Sequence, residues 1–216
     1  MAKTQWFPSP IWSDQSCYII GGGPSLKGFP WEVLCGSNVL GCNAALYLGP
    51  EVVSILIFGD ARFLHQHRPA LDKYAEAGGV VVSPSHRLTK FNPPPYIKSM
   101  RKTLNGLSTN ALGWNGNTGA SAINLALLLG ANPIYLLGFD MGLSPEGEKN
   151  YHNAYNDKPN PKTYKRFLGN MDKVARDLKE KFPGRHVINL EDGTSALNVF
   201  PKESLSEHFS LVGAMV

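Results

Sequence analysis

Residues Tyr18-Ile-Ile-Gly-Gly-Gly-Pro-Ser25 pass from an apolar run straight into three glycines, a proline and a serine. Exposed backbone amides at a strand-to-helix turn attract anions, and Gly21, Gly22 and Gly23 let a ligand approach the backbone. Pro24 fixes φ, and Ser25 offers a hydroxyl or a helix cap. The chemistry this pattern suits is phosphate binding. The segment lacks the full dinucleotide fingerprint, because Leu26 stands where a glycine would close it, and no Gly-Lys-Ser/Thr follows to make a Walker loop. A plain tight turn between strand and helix would use the same residues.

Other candidate residues stand where apolar runs end. Asn43 follows one run and Asp60 a second; Ser83, Ser85 and His86 follow a third. Asn115-Gly-Asn-Thr-Gly-Ala-Ser121 precedes a long apolar helix, so Asn117, Thr118 and Gly119 offer a second amide-bearing helix start. Asp140 and the stretch Glu191–Ser195 end two further runs. Asn43 is equally suited to cap a turn, and Thr118 or Ser121 to cap the helix. Asp60 and Asp140 suit a ribose, a metal or a helix cap, with Asp140 favoured for the site by its strand-end position. His152 lies between Tyr151 and Tyr155 in a stretch without apolar period; an imidazole there suits a general base near neutral pH. His65 and His67 diverge by about 200° on a helix, so they read as a surface pair and not as a metal site.

These residues need a frame that brings strand ends together. Apolar runs at Cys17–Gly21, Asn38–Cys42, Val52–Phe58, Val80–Ser83, Pro133–Leu137 and His186–Asn189 read as strands. Segments Trp31–Cys35, Ala61–Ala77, Gly119–Leu129 and Lys162–Lys181 read as helices. The alternation predicts one α/β domain over residues 1–216: a Rossmann-like, mostly parallel twisted sheet with helices on both faces. In such sheets ligands sit at the carboxyl ends of the strands. Residues 83–117 and 141–161 carry many polar residues, glycines and prolines; the second reads as a mobile lid. In the last helix Phe167, Met171, Val174, Ala175 and Leu178 form an apolar stripe that reads as core.

The composition sets bounds. The chain has 216 residues, 18% of them charged, with net charge +4, which favours an anionic ligand. The basic residues are dispersed, which argues against nucleic acid as the principal partner. Cys17, Cys35 and Cys42 form no C-x-x-C pair, so neither zinc nor a redox couple is indicated. No secretory leader or membrane span is read, and a reduced, cytoplasmic setting is expected. Self-association into a homo-oligomer stays open.

In order and spacing, the motifs resemble a Rossmann-like superfamily of two branches. One is the bacterial sialyltransferases that use a cytidine-monophosphate (CMP) sugar. The other is related to archaeal-type 6-hydroxymethylpterin diphosphokinases and includes short phage-encoded proteins. The resemblance rests on Gly22-Gly-Pro-Ser-Leu26, Cys42-Asn43, Thr118-Gly119, Leu128–Gly130 with Ile134–Asp140, His152, and Asn189 to Pro201. It implies a nucleotide in the crevice, bound by Ser25, Asn43 and Thr118. It also implies that Tyr151 or Tyr155 assists the departing phosphate and that His152 serves as base. The implied activity is transfer from a nucleotide-sugar donor, in the cytoplasm of a bacterium or a phage-infected cell, with no tightly bound cofactor. Two alternatives follow: a diphosphokinase using Mg²⁺ held by Asp60 and Asp140, and a phage nucleotide-binding protein without catalysis.

Overall fold

A computed structural model describes residues 6–84, 93–154, 161–193 and 195–213. Among these residues the strands are β1 (Cys17–Ile20), β2 (Val39–Cys42), β3 (Ile55–Ile57), β4 (Val80–Pro84), β5 (Ile97–Met100), β6 (Lys102–Thr103), β7 (Leu112–Gly113), β8 (Ile134–Leu137), β9 (Val187–Leu190) and β10 (Lys202–Glu203). The helices are α1 (Ala61–Glu76), α2 (Thr118–Leu128), α3 (Pro161–Lys181) and α4 (Leu205–Gly213).

Eight strands make one sheet in the order β10-β9-β8-β1-β2-β3-β4-β5, and every pairing in it is parallel. Parallel strands covered on both faces must be apolar on both, which is why β1, β2 and β3 are unbroken buried runs. Successive side chains serve opposite cores. Cys17 and Ile19 join Leu40, Ile57, Val82 and Leu136 under α2 and α3. Tyr18 and Ile20 join Leu56, Val81, Leu137 and residues of α1 on the other face. Burying a Leu or Ile side chain contributes about 1.5–3 kcal/mol, so these two cores fix strand order and register together.

The chain runs outward from β1 to β5 and then returns to place β8 against the other side of β1. The order therefore reverses between β1 and β8, the place where an open α/β sheet has its binding crevice.

Several expectations change. Trp31–Cys35 forms only a 3-10 turn, Trp31–Leu34. Residues 83–117 hold β5, β6 and β7, too short or too polar to show a period. They are tied down by buried polar groups: Asn124 Oδ1 accepts the Ser108 and Gly113 amides, and Asn115 Oδ1 accepts the Gly106 amide. His67 is no surface residue; it is 8% exposed, and its Nδ1 pairs with the Tyr47 hydroxyl at 2.7 Å. α4 and β10 went unread; α4 closes an aromatic cluster in which Phe209 meets Tyr18 and Phe29.

Candidate functional site

A crevice of about 980 Å³ lies at the carboxyl ends of the strands, along the reversal. Gly21, Gly22 and Gly23 line it beside Gly138 and Phe139 from the turn after β8. The two turns are bonded, Gly21 N to Leu137 O and Gly23 N to Gly138 O, both at 2.8 Å. The glycines are required by contact: a Cβ on Gly21 would lie 2.6 Å from Gly138 O, and one on Gly23 2.4 Å from Asp140 Oδ1.

Asp140 does not line the crevice. Its buried carboxylate accepts from the Ser25 amide at 2.8 Å and the Ser25 hydroxyl at 2.6 Å. Burial pushes this carboxyl up, opposed by the two Ser25 bonds. Ser25 and buried Pro24 form a 3-10 turn behind the glycines, so in this arrangement both hold the loop instead of facing the crevice. The C-terminal segment buttresses the opposite turn: Ser195 Oγ donates to Phe139 O and the Ala196 amide to Asp140 O, each at 2.8 Å.

The second wall is the start of α2. Asn117, and not Thr118 or Ser121, is its N-cap, with Oδ1 accepting the Gly119 amide at 2.9 Å. Asn117, Thr118 and Gly119 all line the crevice. Asn117 is 8% exposed, and its Nδ2 has no partner among the described residues. An unpaired buried donor costs about 1–3 kcal/mol, so its place in the crevice wall fits a ligand acceptor. Gly119 lies against Phe139, where a Cβ would come within 2.6 Å of the ring.

The third side comes from β2, β3 and α1. Asn43 lines the crevice at φ 51°, a left-handed conformation asparagine tolerates, as it opens a 3-10 turn. Asp60 lines it too and caps α1, accepting the Arg62 amide at 2.9 Å. Arg62, Phe63, Gln66 and His67 add a helical face that sequence reasoning missed. Their i, i+1, i+4, i+5 spacing was the available signal. Thr163, Tyr164 and Phe167 of α3 lie on the crevice as well, so the stripe read wholly as core divides: Met171, Val174 and Leu178 are buried in the core, while Phe167 reaches the site.

Of the segment read as a lid, residues 148–152 lie against the glycine turn. The Tyr151 amide donates to Gly22 O at 3.3 Å, and the Asn150 side-chain nitrogen reaches the same carbonyl at 3.3 Å. Lys27 and Glu148 pair at 2.5 Å between the two segments. His152 lines the crevice, with Nε2 4.0 Å from the Cβ that Gly22 lacks. Its Nδ1 accepts the Ala154 amide at 3.2 Å, so the neutral ring carries its proton on Nε2. Burial, aided by Lys149 and His67, lowers its pKa. Tyr151 does not line the crevice; its ring packs on Trp31 at 5.1 Å, its hydroxyl is buried without a partner among the described residues, and burial raises the pKa of that hydroxyl. Tyr155 lies outside the described residues. Among the described residues no three His, Cys, Asp or Glu side chains converge on a metal-sized site.

Two known structures compare with this arrangement, although no protein-family model and no curated protein matches the chain. One is a variant of the sialyltransferase CST-II in complex with CMP, with TM-score 0.53 and 15% identity, covering 88% of each chain. The other is the sialyltransferase CstII from Campylobacter jejuni in complex with a substrate analogue, CMP-3FNeuAc. It has TM-score 0.51 and 15% identity, covering 88% of this chain and 86% of that one. The chain thus shares its mostly parallel, Rossmann-like α/β fold with these sialyltransferases, over nearly its whole length.

Proposed function

We propose that this chain is a nucleotide-dependent transferase of the sialyltransferase kind, taking a nucleotide-sugar donor. The observation that carries the reading is the pairing of two anion-seeking features on one crevice, the Gly21–Gly23 turn and the α2 start, whose Asn117 Nδ2 has no partner among the described residues. A related fold solved with CMP gives independent support. The nucleotide contacts proposed are Gly22, Gly23, Asn43, Asn117, Thr118 and Gly119, with Pro24, Ser25 and Asp140 setting the turn.

In the reaction the acceptor oxygen attacks the anomeric carbon, the bond from that carbon to the phosphate oxygen breaks, and a nucleoside monophosphate leaves. Helix-start amides oppose the charge that grows on the phosphate. His152 serves at the lid. As Nε2–H it donates to a phosphate oxygen; taking the acceptor proton requires the ring to release the Ala154 amide and exchange tautomer. Acid–base assistance of this kind contributes about 10²–10⁴-fold. The diphosphokinase reading has less support, because the Asp140 carboxylate it needs for Mg²⁺ is bonded to Ser25 behind the crevice.

The test is a thermal-shift and turnover series with CMP, ATP and CMP-linked sugars. A stabilisation by CMP of ~2.7 kcal/mol at 100 times Kd is expected, with release of CMP from a sugar donor that His152→Ala abolishes. A chain that no cytidine nucleotide stabilises would sink the reading.

A further inference from the structure

Tyr151 does not line the crevice, yet its ring links the lid to the far end of the chain. Its centroid lies 4.8 Å from that of His152, edge to face, and 5.1 Å from that of Trp31. Trp31 meets Phe29 at 5.0 Å, and Phe29 meets Phe209 of α4 at 5.1 Å, both edge to face. Each spacing falls within the attractive range of aromatic pairs, about 4.5–7 Å. Phe29, Trp31, Tyr151 and Phe209 all pack on the core that Tyr18 and Leu26 help to build. An unbroken row of rings thus runs from the C-terminal helix to the imidazole at the crevice wall.

The two ends of this row are held differently. On the lid side, the Tyr151 amide donates to Gly22 O at 3.3 Å, and the Lys27–Glu148 pair is exposed, a class of contact that contributes little. The lid therefore depends on its aromatic packing. On the other side, Phe209 also packs on Tyr18 at 5.6 Å, and the Tyr18 hydroxyl pairs with His208 Nε2 at 3.1 Å. Asp192 caps the helix start, accepting the Ser206 amide at 3.2 Å. α4 has only 9 residues, fewer than the ~12–15 at which a helix holds in water by itself. Its helix forms only with its aromatic face docked, so docking and folding of α4 are one event. That makes α4 a two-state element with one end of the row on it.

We propose that α4 positions the lid: Phe209 wedges Phe29 and Trp31, these hold the Tyr151 ring, and Tyr151 fixes the place of the His152 imidazole at the crevice. Phe209, Trp31 and Tyr151 are then positioning residues, and release of α4 frees the lid. The coupling rests on the packing alone; its effect on turnover rests on the nucleotide-sugar reading above.

The test follows amide hydrogen exchange in the full chain. Phe209→Ala is expected to speed exchange at the Tyr151 amide by about tenfold, the mark of local opening. Trp31→Ala should do the same, and the double variant should go no further than Trp31→Ala alone, because both cut one row. Trp31→Phe keeps a ring and should keep most of the protection. Met171→Ala, which empties part of the opposite core, should lower the melting temperature and leave the Tyr151 rate unchanged. With a CMP-sugar donor, Phe209→Ala should lower kcat for CMP release by about tenfold to a hundredfold, the scale of a displaced catalytic group, while CMP affinity holds. An unchanged Tyr151 rate in Phe209→Ala overturns the proposal. So does an equal acceleration in Met171→Ala, or single-variant factors that multiply in the double variant. A faster Tyr151 amide with unchanged kcat overturns the positioning of His152. A native chain that releases no CMP from any CMP-sugar overturns the nucleotide-sugar reading instead, and the exchange rates still decide the coupling.

Discussion

The carboxylate of Asp140 receives both the amide and the hydroxyl of Ser25, at 2.8 and 2.6 Å. One side chain thereby ties the turn leaving β1 to the turn leaving β8, across the reversal of strand order that makes the crevice. Asp140→Ala leaves two donors at a part-buried position without their acceptor, a cost of about 1–3 kcal/mol for each such group. A fall in denaturation midpoint and a weaker CMP interaction are expected together, with Ser25→Ala giving a smaller version of both. The pH dependence has a definite sign. Burial holds the folded carboxyl above its ordinary value of 3.8, so the stability tied to its protonated form is present below that value and is lost as pH rises through the folded pKa. Across that window Asp140→Asn should gain stability relative to the native chain. A difference in melting temperature that does not move with pH would contradict this.

Asn117 separates capping from binding. Asn117→Ala loses the bond to the Gly119 amide and should cost about 1 kcal/mol of stability. Asn117→Asp keeps an acceptor for that amide and replaces the unpartnered Nδ2 donor by an anion. Stability should hold, while affinity for CMP falls by about tenfold or more, the 1.4 kcal/mol scale of one lost hydrogen bond to a charged group. Titration calorimetry on the two variants checks this; unchanged CMP affinity in Asn117→Asp would remove Asn117 from the nucleotide site.

The steric demands of the glycine turn give a simpler check. Gly21→Ala would drive a methyl group to 2.6 Å from the Gly138 carbonyl. Overpacking of this kind costs about 1–3 kcal/mol. Gly22 has more room, with its nearest would-be neighbour, the end of the Asn150 side-chain amide, at 3.2 Å. Gly22→Ala should therefore keep the fold better than Gly21→Ala while pressing on the lid. Thermal melts of the pair should rank in that order.

Much of this frame was readable because burial on both faces imposes long apolar runs. Val53 to Phe58 and Ile134 to Leu137 carry that signature, and the helix stripe of Met171, Val174 and Leu178 carries its own period. What escaped has a physical reason in each case. β6 and β7 are two-residue strands, below any detectable period. His67 sits at a non-helical turn of α1, φ −116°, two residues before Pro69, so an ideal helical wheel places it wrongly on the surface. Two strand ends and a helix start bring Asn43, Asp60 and Asn117 to one crevice, but no local pattern shows which carboxylates face it. Asp140's partner, Ser25, is 115 residues away in sequence, and no local pattern reveals such a bond.

Asp177 is 3% exposed and accepts the Leu107 amide at 2.7 Å while pairing with Lys181 at 2.9 Å and Lys173 at 3.3 Å. Burial alone would raise its carboxyl, but Lys181, the Leu107 amide and Lys173 outweigh burial and hold it below its ordinary value. Stability from Asp177 is then present above pH 3.8 and is lost as pH falls through the depressed folded pKa. Asp177→Asn should destabilise the fold at neutral pH, and the difference from the native chain should shrink in acid. Because Asp177 anchors the segment from Gly106 that Asn115 also holds, proteolysis between 104 and 113 should accelerate in the variant.

His152 gives the most direct reading of mechanism. Its pKa is lowered first by burial and then by Lys149 and His67, so the ring is neutral above the ordinary imidazole value of 6.5. If it takes the acceptor proton, the rate should be flat near neutral pH and fall only as pH drops through the lowered pKa. Removing a cation should then move that limb: Lys149→Ala relieves part of the depression and shifts the acid limb toward higher pH. If His152 acts only as an Nε2–H donor to the leaving phosphate, protonation preserves that donor and no acid limb assigned to His152 appears. Rates of CMP release from pH 5 to 8 for the native chain, Lys149→Ala and His152→Gln separate the two. A limb that is present in the native chain, moves in Lys149→Ala and vanishes in His152→Gln assigns the base. A flat profile with a large loss in His152→Gln assigns the donor.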